Sequence, residues 1–119
     1  MWWMASAWPL LPWSMRGWSQ RPFSPQAWKA EEKGYESRRG EMVRSLLRQR
    51  LVAGRTRTEV VALLGAPDAA VRLAPREGGA ASYVEYTLGA YSGLAIDVDG
   101  LWVYFDSNGD SIGWMVVQH

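Results

Sequence analysis

"GRTRTEVVALLGAPD", residues 54–68, decides the fold of this chain, because it specifies a short helix at both of its ends. Thr56-Arg57-Thr58-Glu59 has the Thr-x-x-Glu spacing of a capping box. In such a box the threonine hydroxyl accepts from the amide of Glu59 and the Glu59 carboxylate accepts from the amide of Thr56. Gly65 stands where a left-handed residue closes a helix, and Pro67 cannot continue one. These signals predict a helix over Arg57–Leu64, with Val60, Leu63 and Leu64 forming one apolar stripe. A helix of this length is marginal in isolation, so the stripe must be held against another layer.

Composition limits what that layer can be. With 119 residues, 48% of them hydrophobic, the chain has material for one core. A formal net charge of +1 supplies no global field for nucleic acid, and none is expected as a partner. The absence of cysteine excludes disulfides, thiolate metal sites, cysteine nucleophiles and thioether lipid attachment.

Upstream, residues 1–22 are rich in tryptophan and proline and carry no charge before Arg16. They make a poor signal peptide: the leading residues lack Lys and Arg, Pro9 and Pro12 interrupt the apolar run, and Ala5-Ser6-Ala7 comes too early for cleavage. Two readings stay open for this extension, a degenerate export or interfacial anchor and a loose appendage outside the fold. A single domain is expected over residues 23–119. Ser24-Pro25 reads as an N-cap followed by proline at the first helical position, opening a short helix through Trp28, with Phe23 and Trp28 as lids on the core. In "SRRGEMVRSLLRQRLV", residues 37–52, Met42, Leu46, Leu47 and Leu51 share a helix side with Val43 at its margin.

Downstream the period changes to two. Residues 69–74 and 82–88 alternate as strands around a turn-rich segment, and residues 101–117 read as a hairpin about Asn108-Gly109, the pair favoured in a type I′ turn. That turn would pair Phe105 with Ile112, Val103 with Trp114 and Leu101 with Val116 on one face. Trp102 opposite Met115, and Tyr104 opposite Gly113, would then lie on the other. The expected fold is α+β: a helical hairpin packed on one face of a three- to four-stranded antiparallel sheet.

The runs "LVAGRTRTEVVALLGAPD", "YTLG" at residues 86–89 and "LWVYFDSNGDSI" at residues 101–112 resemble the SmpA/OmlA (BamE-like) family of small domains. They are more loosely similar to the repeats of β-lactamase inhibitor protein. Phe23, Trp28, Arg38 and Met42 are similar to the lead-in of uncharacterised stand-alone members, so the likeness extends over residues 23–117. It implies two helices on one face of a three- or four-stranded antiparallel sheet, no catalysis, and work through protein or lipid contacts at the bacterial cell envelope. The lipoprotein members carry a cysteine that this chain lacks, so lipid anchoring does not carry over.

Chemical motifs are few. Gly65 closes a helix where a phosphate loop would open one, and no Gly-Lys-Ser/Thr follows. Asp106, Asn108 and Asp110 copy the start of a calcium loop, but Ser111 and Val117 stand where glycine and glutamate belong. Asp97 and Asp99 read as solvated turn residues, and His119, the one histidine, is poorly placed for a general base. No catalytic residue, metal or cofactor is expected.

Two surfaces could do work. Tyr83, Trp102, Tyr104 and Met115 would form an aromatic and thioether patch for a protein partner if the helices cover the opposite sheet face; alternatively the N-terminal segment folds over it. Arg38, Arg39, Arg44, Arg48, Arg50, Arg55 and Arg57 could face anionic headgroups in a peripheral membrane module, or form a solvated face balanced by Glu31, Glu32, Glu36, Glu41 and Glu59. Neither partner identity nor oligomeric state follows from these residues.

Overall fold

Helix α3 occupies Arg57–Leu64, and its capping box is complete in both directions: Glu59 N donates to Thr56 Oγ1 over 3.2 Å and Thr56 N to Glu59 Oε1 over 2.9 Å. The backbone bonding from Thr56 holds the Glu59 carboxyl below its usual range. Gly65 ends the helix with φ 83° and ψ −174°. This is a glycine-only region of the map rather than the left-handed helical one, and it corrects the expected closure. The computed structural model describes residues 21–31, 34–74, 79–90 and 98–118. Residues 1–20, Glu32, Asp97 and His119 lie outside them, and with them most of the N-terminal extension.

The other elements are α1 (Pro25–Ala30), a 3-10 turn at Gly34–Glu36, α2 (Gly40–Arg48), β1 (Ala69–Arg72), β2 (Ser82–Gly89), β3 (Asp99–Phe105) and β4 (Ser111–Gln118). Ser24 caps α1, its hydroxyl accepting from Ala27 N at 3.3 Å with Pro25 following. Helix α2 spans Gly40–Arg48 and stops before Leu51, the last member of the expected apolar stripe, and the chain beyond it turns through Arg50 at φ 57°. The strands form one antiparallel sheet in the order β1-β2-β3-β4. The architecture is therefore α+β, with three α-helices and a four-stranded antiparallel sheet among the described residues.

Register sorts the sheet's side chains. Val84, Tyr86, Leu88, Leu101, Val103, Phe105 and Trp114 join Trp28, Met42, Val43, Leu46, Leu47, Val52, Val60 and Leu64 in one buried cluster. Trp28 is fully buried among them, so it is a centre of the core rather than a lid, and Val43 is as buried as Met42. Phe23 packs edge-on against Trp28 with ring centroids 5.7 Å apart.

Leu101↔Val116, Trp102↔Met115, Val103↔Trp114 and Tyr104↔Gly113 pair as the alternation implies. The tip differs. Asp106 N donates to Asp110 O and Gly109 N to Asp106 O, Gly109 has φ 84°, and Asn108 keeps negative φ, which excludes a type I′ turn. The loop is a type I turn followed by a positive-φ glycine, and it places a bulge in β4. Phe105 consequently pairs with Ser111, which is buried, while Ile112 is 51% exposed instead of facing the core.

Ser111 also binds the hairpin to the helices. Its amide donates to Arg55 O at 2.8 Å and its hydroxyl to Val52 O at 2.5 Å, while Arg57 N donates to Gly109 O at 2.8 Å. Asp99 is 1% exposed at the start of β3, not a solvated turn residue.

Candidate functional site: an aromatic sheet face

Residues whose side chains leave the core side of β2, β3 and β4 assemble on the reverse of the sheet. Tyr83 lies directly across from Tyr104, and Trp102 stands between Glu85 and Met115. Aromatic side chains reach diagonally across neighbouring strands. Tyr83 and Trp102 accordingly stack with centroids 4.1 Å apart and planes 16° from parallel. Tyr104 completes the group, 5.5 Å from Tyr83 and 6.2 Å, edge-on, from Trp102. Its hydroxyl points at Met115 Sδ, 3.5 Å away. Burial, with a smaller contribution from Tyr83, raises the Tyr104 phenol above its ordinary value.

All four residues named from the alternation are thus brought into one patch. None belongs to the buried cluster, and the indole of Trp102 is half-buried by its aromatic neighbours rather than by the helices. Met115 is 38% exposed, and Val71, across from Tyr83 on β1, is 36% exposed and extends the patch.

Two further residues shape this face. Trp102 Nε1 donates to Glu85 Oε2 over 2.9 Å, which fixes the ring plane against Tyr83. Glu85 can lie there because of Gly100, where a Cβ would stand 2.1 Å from Glu85 Oε2. Strand alternation from Tyr83 puts Glu85 on the same outer side, but its role depends on the β2–β3 register. Gly100 gave no signal beyond that of a turn glycine.

The arginines do not pool into one solvated face. Arg39 is 2% exposed: its Nε donates to Trp28 O at 2.9 Å, its Nη1 lies 3.6 Å from Asp68 Oδ2, and its guanidinium sits 5.2 Å from the Trp28 ring and 6.0 Å from that of Tyr86. Burial lowers its pKa, and Asp68 opposes the shift. Arg44 is also buried, Arg55 Nε donates to Leu51 O, and the exposed Arg38 pairs with Glu41 at 2.8 Å. Arg39 and Arg44, spaced for a surface, are therefore spent on packing, while Arg38, Arg48 and Arg50 remain exposed.

Asp106 Oδ1 accepts from the amides of Asn108 and Asp110, as a turn carboxylate does, rather than opening a calcium loop. Among the described residues no group of three His, Cys, Asp or Glu is placed to hold a metal ion, and no helix is long and apolar enough to cross a membrane. Comparison with known protein families, with curated proteins and with solved structures finds no match to this chain.

Proposed function

We propose that this protein is a non-catalytic binding domain whose docking surface is the aromatic sheet face, with a protein as its partner. One observation carries the reading: Tyr83, Trp102, Tyr104 and Met115 form a pre-assembled cluster on the side of the sheet away from the core. Aromatic side chains with few rotatable bonds bury large areas at low entropic cost and recur at the energetic centres of interfaces. The bond from Trp102 to Glu85 orders the ring in advance, which reduces the ordering cost of association. Placement at the bacterial cell envelope rests on the SmpA/OmlA resemblance alone.

Photocrosslinking in native cells tests the reading, with a photoreactive residue at Val71 or Met115 and, as reference, at Arg48 on the exposed end of α2. The reading expects a discrete crosslinked protein from the sheet face only, lost in Trp102→Ala while the variant keeps its circular dichroism spectrum. Crosslinks independent of Trp102, or flotation with anionic liposomes that fades with salt, would assign the work to another surface.

A further inference from the structure

Where α3 begins, the end of the sheet and the β3–β4 turn enclose a cleft of about 790 Å³ that none of the four aromatic-face residues lines. That volume is in the range of small-molecule sites. Its described walls carry two guanidinium groups, Arg57 from the first turn of α3 and Arg72 from the end of β1. Among the described residues neither has a carboxylate within ion-pair distance. Arg57 lies over the Phe105 ring at 5.8 Å with Nη1 3.5 Å from Ser82 Oγ, and Ser82 is the residue across from Arg72 in the β1–β2 ladder. The hydroxyl thus links the two arginine positions, and a smaller adjoining hollow is lined by the same three residues.

Among the described residues the remaining ionisable wall residue is Asp106, whose Oδ1 is occupied by two turn amides. Two arginines against one aspartate leave the described walls with one net positive charge. Beside this charge the cleft offers apolar side chains from both edges of the sheet, Leu73 after β1 and Ile112, which the β4 bulge turns outward. Guanidinium groups bind carboxylate and phosphate oxygens through paired N–H donors, and an apolar wall selects ligands with a hydrophobic body.

We propose that this cleft binds a small amphiphilic oxyanion, its carboxylate or phosphate head held by Arg57 and Arg72 and its aromatic or short aliphatic body against Ile112 and Leu73. The site is independent of the aromatic sheet face. Titrations of the full chain with phenyl phosphate, benzoate, inorganic phosphate and neutral benzyl alcohol, followed by the methyl resonances of Ile112 and by calorimetry, provide the test. The expected result is saturable binding of at least one aromatic anion, with no binding of benzyl alcohol and weaker binding of inorganic phosphate. The dissociation constant should rise about tenfold or more in Arg57→Gln and in Arg72→Gln, stay unchanged in Arg48→Gln, and fall in Asp106→Asn. Preference between the two aromatic anions tells a phosphate from a carboxylate ligand. Arg72 is exposed on an edge strand, so its variant reports on binding even if Arg57→Gln is unstable. Absence of a saturable Ile112 shift at millimolar ligand, or an equal loss in Arg48→Gln, overturns the site. Equal affinity for inorganic and phenyl phosphate overturns the role of the apolar wall.

Discussion

Replacing Arg39 by methionine probes the buried ion pair that joins the start of α2 to Asp68, the residue before β1. The Arg39 Nη1 to Asp68 Oδ2 separation of 3.6 Å corresponds to a gross attraction of about 4–5 kcal/mol at an effective dielectric of about 20. The Nε bond to Trp28 O adds about 1.5–3 kcal/mol as a hydrogen bond from a charged donor. Against these stands a desolvation cost of several kcal/mol for a guanidinium that is 2% exposed, which methionine does not incur. Asp68 keeps its bonds from Thr87 N at 2.7 Å and Thr87 Oγ1 at 3.0 Å, so the stranded carboxylate is partly compensated. The net expectation is a loss of about 3 kcal/mol, at the lower end of what breaking a buried pair costs. Urea unfolding at neutral pH of the parent, Arg39→Met, Asp68→Asn and the double variant measures it, and the double variant should cost less than the sum of the singles. A loss below about 0.5 kcal/mol in Arg39→Met, or strict additivity, would refute the pair as a source of stability.

Gly65→Ala should cost about 1–3 kcal/mol, because the strain lies in φ 83° and ψ −174° while a Cβ meets only the movable Lys29 side chain at 3.4 Å. Gly54→Asn, at φ 66° in open space, should lie within a few tenths of a kcal/mol of the parent in the same urea titration. Gly100→Ala should push Glu85 off Trp102 and move the Trp102 indole N–H resonance, leaving those of Trp28 and Trp114 in place; an unmoved Trp102 signal would count against the Glu85 contact. Hydrogen bonding from Arg38, opposed by burial and aided by Arg21, holds Glu41 below its ordinary carboxylate value. Its contribution is therefore complete above about 4.3 and is lost as pH falls through the lower folded value, so Glu41→Gln should flatten the acid limb of stability against pH. Burial pushes the Tyr86 phenol up to about 12, so the unfolded chain ionises first and stability falls as pH rises from about 10; Tyr86→Phe should shorten that limb at the expense of the 2.8 Å bond to Gly65 O.

Sequence patterns revealed whichever features depend on neighbours within a few residues. The span of α3, the Ser24 cap and the alternation that places Trp102 opposite Met115 are set by local chemistry and by period. Features that depend on long side chains or on bulges were not legible. Arg39 has the spacing of a surface residue, yet its reach carries it between Trp28 and Tyr86 from another layer. Asn108-Gly109 supports two turn types, and the one adopted decides whether Ile112 or Ser111 faces inward. The aromatic face was readable because its members repeat every second residue. The cleft was hidden because Arg57 and Arg72 belong to a helix and a strand whose approach around Ser82 of β2 depends on the tertiary fold.

The clasp of Ser111 and Gly109 onto residues Val52 to Arg57 bears on how the chain can be divided. A fragment ending after α3 would lack the acceptor for Arg57 N and leave Val60 and Leu64 without the strands that cover them. A fragment starting at β1 would strand the hydroxyl of Ser111 and uncover one whole side of its own sheet. Neither half is a self-sufficient folding unit, so split reporters or limited-proteolysis fragments of this protein should regain structure only when both pieces are present together.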